Sequence, residues 1–137
     1  MEKCMVKASE VAGGALNWAV STCLGNKPMK DVLCGGIDYP GWWETLLPTP
    51  NRYRRIPDYS LDDRLAGQFI SGERMNIKWD SDVCTASTAD GFSQSGPTLC
   101  VAVMRCKASI CLGEEFEVPA EMVQAIALKK PLSGMGM

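Results

Sequence analysis

The segment from Gly96 to Gly113 constrains the fold more than any other part of the chain. Thr98 is placed to cap a helix and Gly113 to end it. Between them Leu99, Val103, Cys106 and Ile110 form one apolar stripe, and Cys100, Met104 and Cys111 form a second beside it. Two adjacent stripes leave most of the helix circumference in need of cover, so this helix is expected at the centre of a core. Arg105 and Ser109 share its narrow polar face. Lys107 projects from the apolar side, where its stem can lie along the core while the amine reaches water, the alternative being a buried functional amine.

A second helix is expected near the start. Ser9 is a candidate N-cap, Glu10 favours the positive end of a helix, Gly25 supplies a left-handed stop and Pro28 blocks continuation. Ala12, Ala15, Leu16, Ala19, Val20 and Cys23 fall on one core-facing stripe. Trp18 lies on the other side, either covered by the domain or exposed as an aromatic anchor for a partner. Gly13 and Gly14 each cost about 1 kcal/mol relative to alanine inside a helix, so either something packs closely there or the helix starts late.

Between the two helices the punctuation is dense. Val32-Leu33-Cys34 reads as a short strand, and Pro40, Pro48, Pro50 and Pro57 rule against a long helix between Tyr39 and Tyr59. Phe69-Ile70 and Met75–Trp79 read as strands around a Ser71-Gly72 turn, and Ser81–Ser95 as loop or sheet edge. Glu114–Val118 alternates as a strand does, Pro119 suits the first turn of a last helix through Leu128, and residues 131–137 read as a loose tail. The expectation is one α+β domain over residues 1–130, with two main helices packed on a small, mostly antiparallel sheet.

A chain of 137 residues buries enough surface to fold without metal or disulfide staples. Its seven cysteines include no CxxC pair and it has no histidine, which excludes the usual Cys/His zinc sites and favours reduced, buried thiols. No metal or other cofactor is expected. The first residues lack a signal-peptide core and no run is long enough to span a bilayer, so the protein is expected to be soluble and intracellular, without a membrane partner. A net charge of −2 offers no field for a long nucleic acid.

The two ends of the chain carry a resemblance. Ser9-Glu10 followed by Ala15-Leu16-Asn17-Trp18-Ala19-Val20 and Cys23-x-Gly25, then Tyr59-Ser60, Phe69–Arg74, Trp79, Gly96-Pro97-Thr98, Met104-Arg105-Cys106, Leu112-Gly113 and Glu117-Val118-Pro119 resemble the NinX-like family of small bacteriophage proteins. The match is specific at the ends and loose in the middle, with a longer segment between Tyr39 and Tyr59 and an extended tail. The resemblance implies a phage or prophage accessory protein made in the host bacterial cytoplasm. The family's biochemical role is not established, so it supplies no catalytic residues.

Chemistry points away from catalysis. Without histidine the familiar nucleophile–base triads cannot be assembled, Gly91–Gly96 has the wrong spacing for a nucleophile elbow, and no Walker-type phosphate loop occurs. The acidic pairs Asp62-Asp63, Asp80-x-Asp82 and Glu114-Glu115 are read as solvated, with acid/base or divalent-ion roles as the alternative. One region stands out: Trp42, Trp43 and Tyr53 beside Arg52, Arg54 and Arg55, residue types that stack on a base and pair with phosphate or carboxylate. These six are the expected ligand-binding residues, with Trp18 a partner-binding candidate, unless the tryptophans only fill the core. The expected function is non-catalytic binding of a host protein or a nucleotide-derived signal, as a counter to host defence. A homo-oligomer is a further expectation; a small hydrolase or transferase, or a scaffold protein, are the alternatives.

Overall fold

In the computed structural model, which describes residues 3–34, 36–46 and 52–123, the chain runs β1 (Lys3–Lys7), α1 (Gly13–Cys23), β2 (Lys27–Cys34), β3 (Ile37–Thr45) and β4 (Tyr53–Arg55). A 3₁₀ turn (Tyr59–Leu61) leads into α2 (Asp63–Glu73), β5 (Asn76–Asp80), β6 (Val83–Ser87), β7 (Ser93–Gly96), α3 (Leu99–Leu112) and β8 (Glu115–Pro119). A last helix starts at Ala120. Its expected run to Leu128 and the tail 131–137 lie outside the described residues.

The α+β class holds, and every strand pairing among the described residues is antiparallel. The single small sheet does not: the strands form a β1–β8 pair, a β2–β3–β4 sheet and a β5–β6–β7 sheet. The helix at the centre is α3, packed on α1, α2, β6, β7 and β8. Thr98 caps it by accepting from Val101 N at 3.2 Å, and its Cys100, Ala102, Val103, Met104, Cys106, Ala108 and Ser109 are all buried. Ser109 therefore does not share a solvent face with Arg105; its hydroxyl donates to the Cys106 carbonyl at 2.7 Å. The Lys107 amine lies 5.1 Å from the centre of the Phe69 ring and 3.5 Å from a Glu73 carboxylate oxygen, so it is held over the core in a partly buried ion pair and does not simply reach out to water.

Three local expectations are corrected. Helix α1 starts at Gly13, four residues after Ser9, because the amides of Glu10 and Val11 first turn back on the Lys7 carbonyl and Gly13 takes a left-handed φ of +57°. Phe69-Ile70 lies in α2, not in a strand. Asp62 caps that helix by accepting from Leu65 N at 3.0 Å, Arg74 ends it with φ +54°, and Leu65, Ala66, Phe69 and Ile70 form its core stripe. Ser81–Ser95, expected as loop or sheet edge, supplies the whole of the central strand β6 and most of β7, which is an edge of its sheet; the loop reading fails and the edge reading holds for β7 alone.

Gly96 shows why β7 can lie so close to α3. A Cβ there would stand 2.7 Å from Val101 Cγ1 and 2.9 Å from the Ala102 backbone nitrogen. Nothing lies within 4 Å of the same atom at Gly67, in the interior of α2. Gly96→Ala is therefore expected to destabilise the fold by about 1 to 3 kcal/mol through overpacking, whereas Gly67→Ala stabilises it by up to about 1 kcal/mol. Denaturant unfolding of both variants checks the pair, and equal effects would contradict the packing of β7 on α3.

Candidate functional site

The aromatic and arginine residues of the middle segment are positioned by the β2–β3–β4 sheet. Pro40 would break a regular ladder, and the sheet accommodates it with an irregularity: the pairing steps from Lys30–Trp42 to Val32–Tyr39. At the step Asp31 takes φ +55°, Gly41 takes φ +102°, and the Asp31 carboxylate accepts the Gly41 amide at 2.8 Å. Beyond it β3 regains its alternation, and β4 pairs with it as Trp43–Arg55, Glu44–Arg54 and Thr45–Tyr53. Direct opposition places each pair on one face of the sheet.

This register sorts the expected ligand residues onto two faces. On the inner face Trp42 packs half-buried against the core, and Glu44 is fully buried. The Glu44 carboxylate accepts from Arg54 Nε and from the Tyr59 hydroxyl at 2.7 and 2.8 Å. Arg54 Nη2 donates to the same hydroxyl oxygen at 3.3 Å, so the phenol proton is directed at the carboxylate. The Tyr59 amide donates to Asn17 Oδ1 at 2.9 Å, tying this group to α1. The hydrogen bond to Glu44 holds the Arg54 guanidinium charged, with its pKa raised. Burial, reinforced by the bond to Glu44, pushes the Tyr59 phenol up to about 12.

On the outer face the Arg55 guanidinium lies 4.6 Å from the centre of the Trp43 ring, and a Cβ at Gly41 would collide with it. Tyr39 meets Trp43 edge-on with centroids 6.0 Å apart, and the Trp43 indole nitrogen donates to the Pro40 carbonyl at 3.3 Å. Tyr53 is half-buried; Arg52 is exposed, its carbonyl accepting the Leu46 amide at 2.9 Å. Trp18 packs half-buried on the core from α1.

A surface not expected from the sequence adjoins this cluster. Towards their connection β2 and β3 expose Leu33 (71%), Ile37 (57%) and Tyr39 (40%). The register puts Leu33 opposite Asp38 and Tyr39 opposite Val32, so large apolar side chains leave both faces of the hairpin. The signal in the sequence is the run Val32-Leu33-Cys34 followed by Gly35-Gly36-Ile37, a hairpin with apolar arms on either side of a glycine pair.

The remaining candidates for chemistry have other uses. Asp62 caps α2, Asp63 accepts from the Cys100 thiol at 2.9 Å, Glu114 accepts from Gln94 at 3.2 Å, and Asp80, Asp82 and Glu115 are exposed. Among the described residues no three Cys, Asp or Glu side chains gather as a metal site. The six cysteines with described side chains are free. Burial raises the thiols of Cys100 and Cys106 to about 11, and those of Cys23 and Cys84 shift in the same direction for the same reason. No protein-family model matches the chain, and no curated protein matches it.

The buried triad gives a prediction about pH. Removing the hydroxyl in Tyr59→Phe leaves Glu44 short of a donor and is expected to cost about 1 to 3 kcal/mol at neutral pH. The phenol's pKa is about 12 in the fold against 10.0 for an unperturbed tyrosine, so the folded state holds its proton more tightly. That contribution is complete below pH 10 and is lost as pH rises towards 12. The stability difference between wild type and Tyr59→Phe should therefore shrink across that window; urea unfolding at a series of pH values tests this, and a constant difference would refute the assignment.

Proposed function

We propose that this is a non-catalytic binding protein that engages a partner protein through the β2–β3 hairpin and the outer face it shares with β4. The observation that carries this reading is the exposure of Leu33, Ile37 and Tyr39 on a single hairpin beside the Trp43–Arg55 stack. Clustered aliphatic and aromatic side chains next to an arginine are the composition that protein partners bury. Apolar groups on both faces suit a partner groove that closes around the hairpin.

A nucleotide-derived ligand is less well supported at this face. Arg54 is committed to Glu44 and Tyr59, and one side of the Trp43 ring is covered by Arg55. A base would have to displace the guanidinium before it could stack there. The NinX-like resemblance supports a phage accessory role in the bacterial cytoplasm, with a host protein as the partner. Among the described residues no helix is long and apolar enough to cross a membrane.

A photo-crosslinking residue at Ile37, in full-length protein expressed in bacterial cells, is expected to give one dominant adduct with a different protein. Leu33→Asp should abolish that adduct without lowering the melting temperature, because Leu33 is exposed. An adduct unaffected by Leu33→Asp, or one composed of two copies of this chain, would sink the proposal. The same reading expects no turnover of esters, nucleotides or nucleic acids, with or without divalent ions. Turnover that disappears in Asp62→Ala, Asp80→Ala or Glu114→Ala would establish an enzyme instead.

A further inference from the structure

A cleft of about 530 Å³ opens where β1 and the turn after it meet the start of α1 and the middle of α3. Met5, Val11 and Ala15 contribute apolar wall, and Lys7, Glu10 and Arg105 contribute charge. Its volume is that of a small-molecule site.

Arg105 dominates the polar end. Three of its five N–H groups are held by backbone carbonyls: Nε by Val11 at 2.9 Å, Nη1 by Ser95 at 2.8 Å and Nη2 by Glu10 at 3.5 Å. These bonds fix the guanidinium without neutralising it. Among the described residues the ion pairs are made by Lys30, Arg54 and Lys107, and no carboxylate lies within ion-pair distance of Arg105. Glu10, whose side chain is exposed, is the single acidic residue of the lining, against the two cations Lys7 and Arg105.

The backbone at the same end adds to the field. Ala12 is the N-cap of α1, so no side chain caps the helix, and its first turn holds no acidic residue. Ala12 and Ala15, at the N-terminal end of α1, line the cleft. The cleft thus presents, at one end, a fixed guanidinium with no ion-pair partner among the described residues, on which the charge of Glu10 nevertheless acts, and hydrocarbon along its walls.

We propose that this cleft binds a small amphiphilic anion, a carboxylate or phosphate monoester on a compact apolar body, with its anionic group against Arg105 and the first turn of α1. The apolar body lies along Met5, Val11 and Ala15. The site is separate from the hairpin surface and does not depend on the partner proposed for it.

Titration of the full chain, observed by ¹⁵N–¹H NMR, tests this with hexanoate and hexyl phosphate as probes and hexanol and inorganic phosphate as controls. Saturable shifts are expected at the Ala12 and Ala15 amides and Arg105 Nε for at least one amphiphilic anion, and the better of the two probes identifies the headgroup. Each control should bind at least tenfold more weakly. Arg105→Gln should abolish binding, but it also releases three carbonyls and can unfold the protein. Ala12→Asp separates the effects: a carboxylate at the N-cap satisfies the helix amides and occupies the anion's place, so the melting temperature rises while probe binding weakens at least tenfold. Absence of saturable shifts, hexanol binding as tightly as the anions, or undiminished probe binding by folded Ala12→Asp would each overturn the proposal.

Discussion

Much of this fold is arranged around a helix that has little side to give to water. Helix α3 buries residues from Cys100 to Ser109 around most of its circumference, and only an architecture with cover on several sides satisfies it. Many of those side chains are small: Cys100, Ala102, Cys106, Ala108 and Ser109 allow neighbours to approach closely. Gly96 extends the same logic to the strand before the helix, where even a methyl group would meet Val101 and the Ala102 backbone. Arg105 then turns a strongly polar position into a clamp, holding the carbonyls of Glu10, Val11 and Ser95 and so joining the turn before α1 to the end of β7.

The second organising feature is electrostatic. A buried carboxylate is costly unless its partners are well placed, and Glu44 has both an arginine and a tyrosine hydroxyl. That group links β3, β4, the 3₁₀ turn and, through Asn17, α1. It also decides what the arginines can do. Arg54 belongs to the interior network, and Arg55, one residue on, faces the other way and stacks on Trp43.

The partner recognition proposed for the β2–β3 hairpin is accordingly a matter of side chains more than of backbone. Strand β2 is an edge, but it carries Pro28, Lys27, Lys30 and the irregularity at Asp31, features that blunt an edge against strand addition. Lys30 is further engaged with Glu121 at 2.7 Å. What the hairpin offers is Leu33, Ile37 and Tyr39, and the edge guards leave those groups free to be read.

The sequence by itself determined α3, the core stripe of α1 and, to within a residue at each end, β5 and β8, read as Met75–Trp79 and Glu114–Val118, because in each the apolar period and the stop signals agree; Pro119, expected to open the last helix, instead ends β8 opposite Lys3. It also carried the pattern of α2, where Leu65, Ala66, Phe69 and Ile70 recur at helical spacing, but Ser71-Gly72 resembled a turn strongly enough to mask it. Strands β1, β3, β6 and β7 had no such local signature: Lys3–Lys7 is a strand because β8 pairs with it, and Ser93–Gly96 because β6 and α3 cover it. The same holds for the candidate sites. Composition marked Trp42, Trp43 and the arginines, but only cross-strand register could send Arg54 inward to Glu44 and Arg55 outward to Trp43. A two-residue period splits neighbours between faces, and which face becomes the interior depends on contacts with Asn17 and Tyr59 that lie far away in the chain.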